Sequence, residues 1–222
     1  MSETTVVERP VGNNAVTWFG LAFSMLSMLV IRQVFRAITP EPGPALVLLR
    51  EACFFASAGA LIWLIRRGEN LSLRSIGIGT SPLWKSLAWG VVIAGACIIP
   101  AALIAHATGY GQGSAPKAFA KLPLWVISIV VVRAGMVEEL FFRGYAIERL
   151  QAVGLGRVTA CIIPLVIFSV GHWTGGVANI LIAFVLGTIL TGFFLWRRDL
   201  VANMFGHFLV DFVPNVLVPL LS

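Results

Sequence analysis

Acidic and basic side chains stand together at Glu138, Glu139 and Arg143, inside the apolar stretch 122–151. Charged groups cost free energy in such surroundings, and they usually serve a purpose there. Two histidines occur in later apolar stretches, and Asp211 lies four residues after the second of them. Glu, His and Asp side chains commonly activate water and stabilise oxyanions. Together these residue types indicate a site that activates water.

Residue spacing separates the acidic run into two parts. Glu139 and Arg143 lie four residues apart, so on a helix they share one face and can form an ion pair that compensates both charges. We expect this pair to be architectural. Glu138 is turned about 100° away from it, has no local partner, and needs another partner or water. The candidates for that partner come from other predicted helices and are His172, His207 and Asp211.

His207 and Asp211 are also four residues apart and share a helix face. Taken alone, His172 or His207 could equally have a structural role, hydrogen-bonded to a backbone carbonyl. Their occurrence together with Glu138 and Asp211 favours a functional site. Arg133, five residues before Glu138, has two open interpretations: it pairs with an acid, or it faces a water-filled cavity. The candidate site consists of Glu138, His172, His207 and Asp211.

The composition is that of an integral membrane protein. Of the 222 residues, 58% are hydrophobic and only 12% are charged, and the mean hydropathy is +0.91. A bilayer core of roughly 30 Å requires about 20 apolar residues per helix. We therefore predict an all-α fold, a polytopic membrane helix bundle in a single domain over residues 1–222.

Seven apolar runs have the length or character of membrane helices, so we expect about seven transmembrane helices, within a range of six to eight. An eighth short span after Pro214 is the alternative that reaches the upper limit. The runs are Ala15–Ile31, Pro44–Ile65, Ser86–Ala105, Leu122–Gln151, Val158–Val170, Val177–Trp196 and Leu200–Ser222.

Basic residues indicate an orientation, because basic loops tend to remain in the cytoplasm. With seven spans, a short N-terminal tail (residues 1–14) is cytoplasmic and Ser222 is external, in the cytoplasmic membrane of a prokaryote. The basic residues lie in separate loops, so the pI near 9.9 indicates contact with membrane lipids and no nucleic-acid partner. The side shared with the N-terminus carries Arg9, Arg66, Arg67, Arg74, Lys85, Arg149, Arg157, Arg197 and Arg198.

Three motifs carry a resemblance to a known family. Residues 138–144 resemble the EExxxR motif of the CAAX protease and bacteriocin-processing (CPBP, or Abi) family of intramembrane proteases, which includes the Ras-converting CAAX prenyl endopeptidase. Phe168 to His172 resembles the FxxxH motif of that family, and His207 to Asp211 its HxxxN/D motif. Residues 184–187 also resemble the family pattern. The resemblance covers residues 121–213, which we take as the catalytic core.

The resemblance implies an intramembrane endopeptidase that hydrolyses a peptide bond of a membrane-associated or lipid-modified protein or peptide. Glu138 would be the general base, assisted by His172, and His207 with residue 211 would stabilise the tetrahedral intermediate. The supporting residues would be Glu139 and Arg143. The first half of the chain carries none of the motifs and would shape access of the substrate. The oligomeric state is left open.

The last motif departs from the pattern of many relatives, which have Asn where this chain has Asp211. An amide can donate a hydrogen bond to an oxyanion, whereas an ionised carboxylate only accepts. Asp211 is therefore protonated, orients His207, or binds a metal. Two His and a carboxylate could hold Zn²⁺ and activate its water. Against this, the chain has no HExxH motif, and a Glu with a His can activate water unaided. A Zn²⁺ site and a metal-free glutamate mechanism therefore stay equally open. The ligands of such a metal would be Glu138, His172, His207 and Asp211.

Two other classes of function compete with the protease. An ion or proton transporter would use intramembrane Glu, His and Asp side chains to relay charge, but it predicts internal repeats, and the sequence has no clear one. A membrane scaffold or bacteriocin-immunity protein would use the same fold without catalysis. Loss of function on replacing Glu138 would separate an enzyme from that scaffold.

Overall fold

The structure, a computed structural model, describes residues 14–39 and 43–221, and in these ranges the chain is helical without β-strands. The predicted all-α fold class is therefore confirmed. Residues 1–13 of the predicted N-terminal tail lie outside the described residues. In chain order the α-helices are α1 (Asn14–Ile38), α2 (Pro44–Trp63), α3 (Leu83–Thr108), α4 (Ser114–Ala120), α5 (Leu124–Arg133), α6 (Glu148–Ala152), α7 (Arg157–Val170), α8 (Gly176–Arg197), α9 (Leu200–Phe212) and α10 (Val218–Leu221).

Several helical stretches are long and apolar enough to cross a bilayer, as expected of an integral membrane protein. Among the described residues there are five: Ala15–Ile38, Pro44–Gly68, Leu83–Thr108, Trp173–Arg197 and Leu200–Leu221. Helix α7 has 14 residues and covers roughly 21 Å, less than a bilayer core. The count of seven spans stays a prediction. Residues 200–221 are helical throughout, so no turn separates a further span after Pro214.

The outward faces of the bundle are apolar. Phe19, Ile99 and Val158 are among many large hydrophobic side chains exposed on the surface of the molecule. Exposed apolar area of this extent is unfavourable in water and favourable against lipid. The outer surface is therefore suited to contact with acyl chains.

Aromatic and basic side chains meet at both ends of the bundle. At one end the Arg36 guanidinium lies over the Trp173 ring, 4.7 Å from its centroid. At the other, Arg197 lies over the rings of Trp89 and Trp196. Trp is enriched at both membrane–water interfaces, so tryptophans at the two ends of the bundle agree with a transmembrane placement. The direction of the chain across the membrane remains a prediction.

The charged segment lies at the centre of the bundle. Residues 133–150 are buried except for Met136, and they pack against α1, α7 and α9. Helix α3 packs on α8 and α9 at the other side of the molecule. The surrounding helices therefore keep the charges of this segment away from lipid.

The central segment is not a regular α-helix. π-Helical turns occupy Ala134–Glu138 and Leu140–Ile147, between α5 and α6. In a π-helix the hydrogen bond joins residues five apart, so such residues face the same side, and π turns are frequent at functional sites. Arg133 and Glu138 are five residues apart and are aligned in this way.

The first π turn approaches α9 closely because residue 135 is a glycine. A Cβ atom at Gly135 would lie 2.8 Å from both the Met204 carbonyl oxygen and the Phe208 backbone nitrogen. The absence of a side chain thus allows the backbone that carries Glu138 to contact the helix that carries His207 and Asp211.

We predict that Gly135→Ala destabilises the fold by about 1–3 kcal/mol or more, because the new methyl group meets backbone atoms that cannot move independently. Gly95→Ala in α3 is the matched control, since no atom lies within 4 Å of its Cβ position. The measurement is thermal unfolding of both variants in the same detergent. Equal melting temperatures would contradict the close contact.

Candidate active site

A cavity of about 180 Å³ lies among α1, α5, α7, α8 and α9. The four predicted site residues all line it, although they come from three separate parts of the chain. Apolar side chains, including Phe168 and Leu186, form part of its wall. Its polar lining consists of Arg32, Arg133, Glu138, His172, Asn179, His207 and Asp211.

Three elements place these side chains. Glu138 ends the π turn Ala134–Glu138, and His172 lies two residues after Val170, the last residue of α7. His207 and Asp211 lie one turn apart on α9, whose start is capped by the Asp199 carboxylate accepting from the Ala202 amide. The structure thus brings together Glu138, His172, His207 and Asp211.

Glu138 has two arginine partners. The Arg133 Nη1 donates to its Oε1 at 2.5 Å, and the Arg32 Nη2 donates to the same oxygen at 2.9 Å. The expectation that Glu138 lacks a local partner is therefore wrong, because the π turn aligns Arg133 with it. In residues 14–39 and 43–221 no hydrogen bond joins Glu138 to His172 or His207, and none is made to its Oε2.

Arg133 pairs with acids, the first of the two interpretations that its position left open, and it also lines the cavity. Its Nε donates to Glu51 Oε2 at 2.6 Å. Glu51 in turn accepts from the Nε and Nη2 of Arg50, at 3.0 and 2.8 Å. A continuous chain of ion pairs therefore runs from Arg50 through Glu51, Arg133 and Glu138 to Arg32. We call these five residues the ion-pair chain.

Glu139 is the centre of a second buried network. The Arg143 Nη1 donates to its Oε1 at 2.8 Å, which confirms the predicted pairing at four-residue spacing. The His207 Nδ1 donates to Oε1 at 2.8 Å, and the Asn203 Nδ2 to Oε2 at 3.2 Å. Because a carboxylate accepts only, the hydrogen lies on Nδ1 of His207, and Nε2 faces Asp211 at 3.7 Å from its Oδ2. Glu139 thereby sets the orientation of that ring.

Gly187, the last residue of the short pattern at residues 184–187, leaves space for neighbouring side chains. A Cβ atom there would lie 2.7 Å from Leu165 Cδ1 and 2.9 Å from Arg143 Nη2. Because glycine has no Cβ atom, Arg143 lies against α8, and its Nη2 donates to the Gly187 carbonyl at 3.3 Å. The glycine therefore leaves room for the close approach of the buried guanidinium to this helix.

His172 is held by its own helix. Its Nδ1 donates to the Phe168 carbonyl at 2.7 Å, which leaves Nε2 as the second ring nitrogen at the cavity. The backbone around it is fixed from two sides: Arg32 Nη1 donates to the Gly171 carbonyl and Asn179 Nδ2 to the His172 carbonyl, both at 3.1 Å. The carbonyl bond expected for a structural histidine thus coexists with a position in the cavity.

The donor set does not fit a resident Zn²⁺ ion. Among the residues that the structure describes, no three His, Cys, Asp or Glu side chains are placed to bind one metal. Oε1 of Glu138 is occupied by two guanidinium groups, whose positive charges would repel a divalent cation beside it. The protein side chains are therefore the groups that this cavity offers for chemistry.

Arg32, Glu51 and Asn203 are among the polar residues of these networks that the sequence reasoning missed. Arg32 was placed beyond the first predicted span, although α1 continues to Ile38. Glu51 is a charge in an apolar run, and that alone was a signal for a buried partner. Asn203 could have been found from its spacing, because it lies four residues before His207 on the face that bears Asp211.

A family model described as "Type II CAAX prenyl endopeptidase Rce1-like" matches residues 120–213. The matched segment includes the four cavity residues that were predicted, together with Glu139 and Arg143. It does not include Arg32 or Glu51. No curated protein and no solved structure matches the chain.

We predict that Glu139→Gln lowers the free energy of unfolding by about 3–5 kcal/mol, because it leaves the buried Arg143 without a carboxylate. Glu148→Gln is the control: its partner Arg198 is 38% exposed, so solvent screening limits that loss to about 0–1 kcal/mol. Both are measured by denaturant unfolding in mixed micelles. A loss of the same size in the two variants would refute the central position of Glu139.

Proposed function

Over residues 120–213 the chain belongs to the CAAX protease (CPBP) family, and from this premise we propose that the protein is an intramembrane endopeptidase. Its substrate is a membrane-associated or lipid-modified protein or peptide, and the reaction is hydrolysis of a peptide bond. The observation that carries the proposal is the buried Glu138 carboxylate, which shares one cavity with His172, His207 and Asp211 inside an apolar helix bundle.

Glu138 acts as the general base. Its Oε1 is fixed by two guanidinium groups, and within the described part of the chain Oε2 has no hydrogen-bond donor. A water molecule beside Oε2 transfers a proton to the carboxylate as its oxygen attacks the carbonyl carbon of the substrate. The proton then passes to the leaving amine. Nε2 of His172 accepts the other hydrogen bond of this water and orients it.

The opposite wall of the cavity stabilises the negative oxygen of the tetrahedral intermediate. Glu139 holds Nδ1 of His207, so Nε2 is the nitrogen that donates to the oxyanion when the ring is protonated. Asp211 contributes a second donor in its protonated form. The distance of 3.7 Å to His207 is longer than a hydrogen bond, so Asp211 is available to a substrate oxygen.

The proposal also includes the placement of the protein in the membrane. The N-terminus lies in the cytoplasm, and the membrane is the cytoplasmic membrane of a prokaryote. The basic residues at one end of the bundle, among them Arg66 and Arg197, support this orientation. Residues 121–213 form the catalytic core of a single membrane domain, and the first half of the chain supplies Arg32 and Glu51 to the charges around it.

Replacement of the general base provides the main test. We expect Glu138→Gln to leave the protein folded and to lower the rate of cleavage by about 10²–10⁴-fold, because the amide cannot accept the proton of water. The measurement compares the termini of membrane proteins in cells that carry the wild type, Glu138→Gln or the control Glu148→Gln. Termini that need Glu138 and persist in the control identify the substrate. Identical termini in all three would favour a scaffold.

Asp211 gives a second test, with kcat measured on a peptide that spans the Glu138-dependent cleavage site. Asp211→Asn is expected to retain most of the activity, since an amide donates as a protonated carboxyl does. Asp211→Ala is expected to lose about 10²–10³-fold in kcat, as when one oxyanion donor is removed. If the Asn variant is as impaired as the Ala variant, Asp211 acts through its charge and the donor role is wrong.

A further inference from the structure

We propose that Arg32 is a positioning residue that holds Glu138 and the backbone of His172 in a fixed relation to each other. This inference rests on the proposed function and deepens it. Arg32 lies in α1, far in sequence from both groups and outside the family match at 120–213. It would add to the active site a residue that none of the three sequence motifs contains.

The contacts of Arg32 connect three elements. Nη2 donates to Oε1 of Glu138 at 2.9 Å, and Nη1 donates to the Gly171 carbonyl at 3.1 Å. Gly171 directly precedes His172. One planar group therefore joins the general base to the residue beside the assisting histidine, and it does so at the wall of the cavity.

An arginine is well suited to this connection. The guanidinium presents several N–H donors in a rigid plane, so that two nitrogens reach two acceptors at the same time. A lysine ammonium is a flexible point charge and does not reproduce that fork. The carbonyl of His172 is held by Asn179 and its Nδ1 by Phe168, so a shift of Gly171 would be transmitted to the ring.

Charge neutralisation does not account for Arg32. Within the ion-pair chain, three guanidinium groups face two carboxylates, and Glu138 is already paired with Arg133 at 2.5 Å. A further cation that is only partly exposed carries a desolvation cost that one more contact to Glu138 does not by itself offset. The second contact, to the Gly171 carbonyl, distinguishes a positioning role from simple compensation of charge.

Besides the Arg32 bridge, apolar packing and the contact of Arg36 with Trp173 hold α1 near the end of α7. A narrow apolar crevice runs between these helices to Glu138, lined by Met28, Leu29, Ile167 and Phe168. Apolar packing does not define the distance between two polar groups as closely as paired hydrogen bonds do. The Arg32 bridge at the end of this crevice therefore sets the separation of Glu138 and His172.

The chain provides a matched control in Arg36, one turn further along α1. Its guanidinium lies over the Trp173 ring, next to the same segment of backbone. No ion pair joins it to Glu138 in the part of the chain that the structure describes. Arg36→Gln removes a cation from the same end of α1 and leaves the bridge intact.

The first arm of the test uses the full-length protein in lipid nanodiscs, and the probe is the peptide that spans the Glu138-dependent site. We expect Arg32→Gln to lower kcat on the order of 10²-fold with little change in KM, the effect of a displacement of about 1 Å at reacting groups. Arg32→Lys should be intermediate, and Arg36→Gln should behave as the wild type. A rise in KM at unchanged kcat would overturn the proposal, because it indicates substrate binding.

The second arm does not depend on activity. The chain has three histidines, so ¹⁵N labelling of histidine gives a simple set of ring signals. Arg32→Gln is expected to shift the signals of His172 and to leave those of His106 in place. Arg36→Gln should shift neither. Unmoved His172 signals in a folded Arg32→Gln variant would overturn the proposal.

The two arms separate failure of this inference from failure of the proposed function. If the wild type makes no Glu138-dependent cut, the protease proposal fails, and the histidine signals still decide the positioning role. If cleavage depends on Glu138 while Arg32→Gln retains wild-type kcat, only the positioning role fails. Should Arg32→Gln not fold, Arg32→Lys decides: wild-type kcat and unshifted His172 signals would overturn the proposal.

Discussion

A charge buried at membrane depth needs a partner, because lipid and apolar side chains do not solvate it. In this protein the two adjacent glutamates of the central segment find their partners on different helices. Glu138 joins the ion-pair chain, whose other members come from α1, α2 and α5. Glu139 is surrounded by Arg143, His207 and Asn203. The packing of the helices follows from satisfying both groups at once.

The backbone of the central segment serves this arrangement. Adjacent residues on a helix point about 100° apart, so each glutamate is directed to its own network. The π turn then aligns Glu138 with Arg133, while Arg143 remains at the four-residue spacing from Glu139. Gly135 allows this irregular segment to lie against α9, where His207 is placed. The irregular local geometry and the packing of the helices therefore act together to pair the two glutamates.

The division of the glutamates also separates a structural position from the position of the proposed general base. Glu139 is fully buried and accepts from three side chains, as is suited to a structural anchor. At the wall of the cavity, one oxygen of Glu138 accepts no hydrogen bond from the residues that the structure describes. The family match covers the helices that bear the motifs, whereas Arg32 and Glu51 belong to the first half of the chain. That half contributes charges to the site and does more than surround it.

The sequence by itself determined the all-α membrane fold, the four cavity residues and the pair Glu139–Arg143. These follow from composition, from motifs and from regular helical spacing, which are local properties. Only the tertiary structure decided that Arg32 and Glu51 join the site, since a partner on another helix depends on how helices pack. The pairing of Arg133 with Glu138 also needed the structure, because a π turn departs from the 3.6-residue period on which sequence reasoning relies.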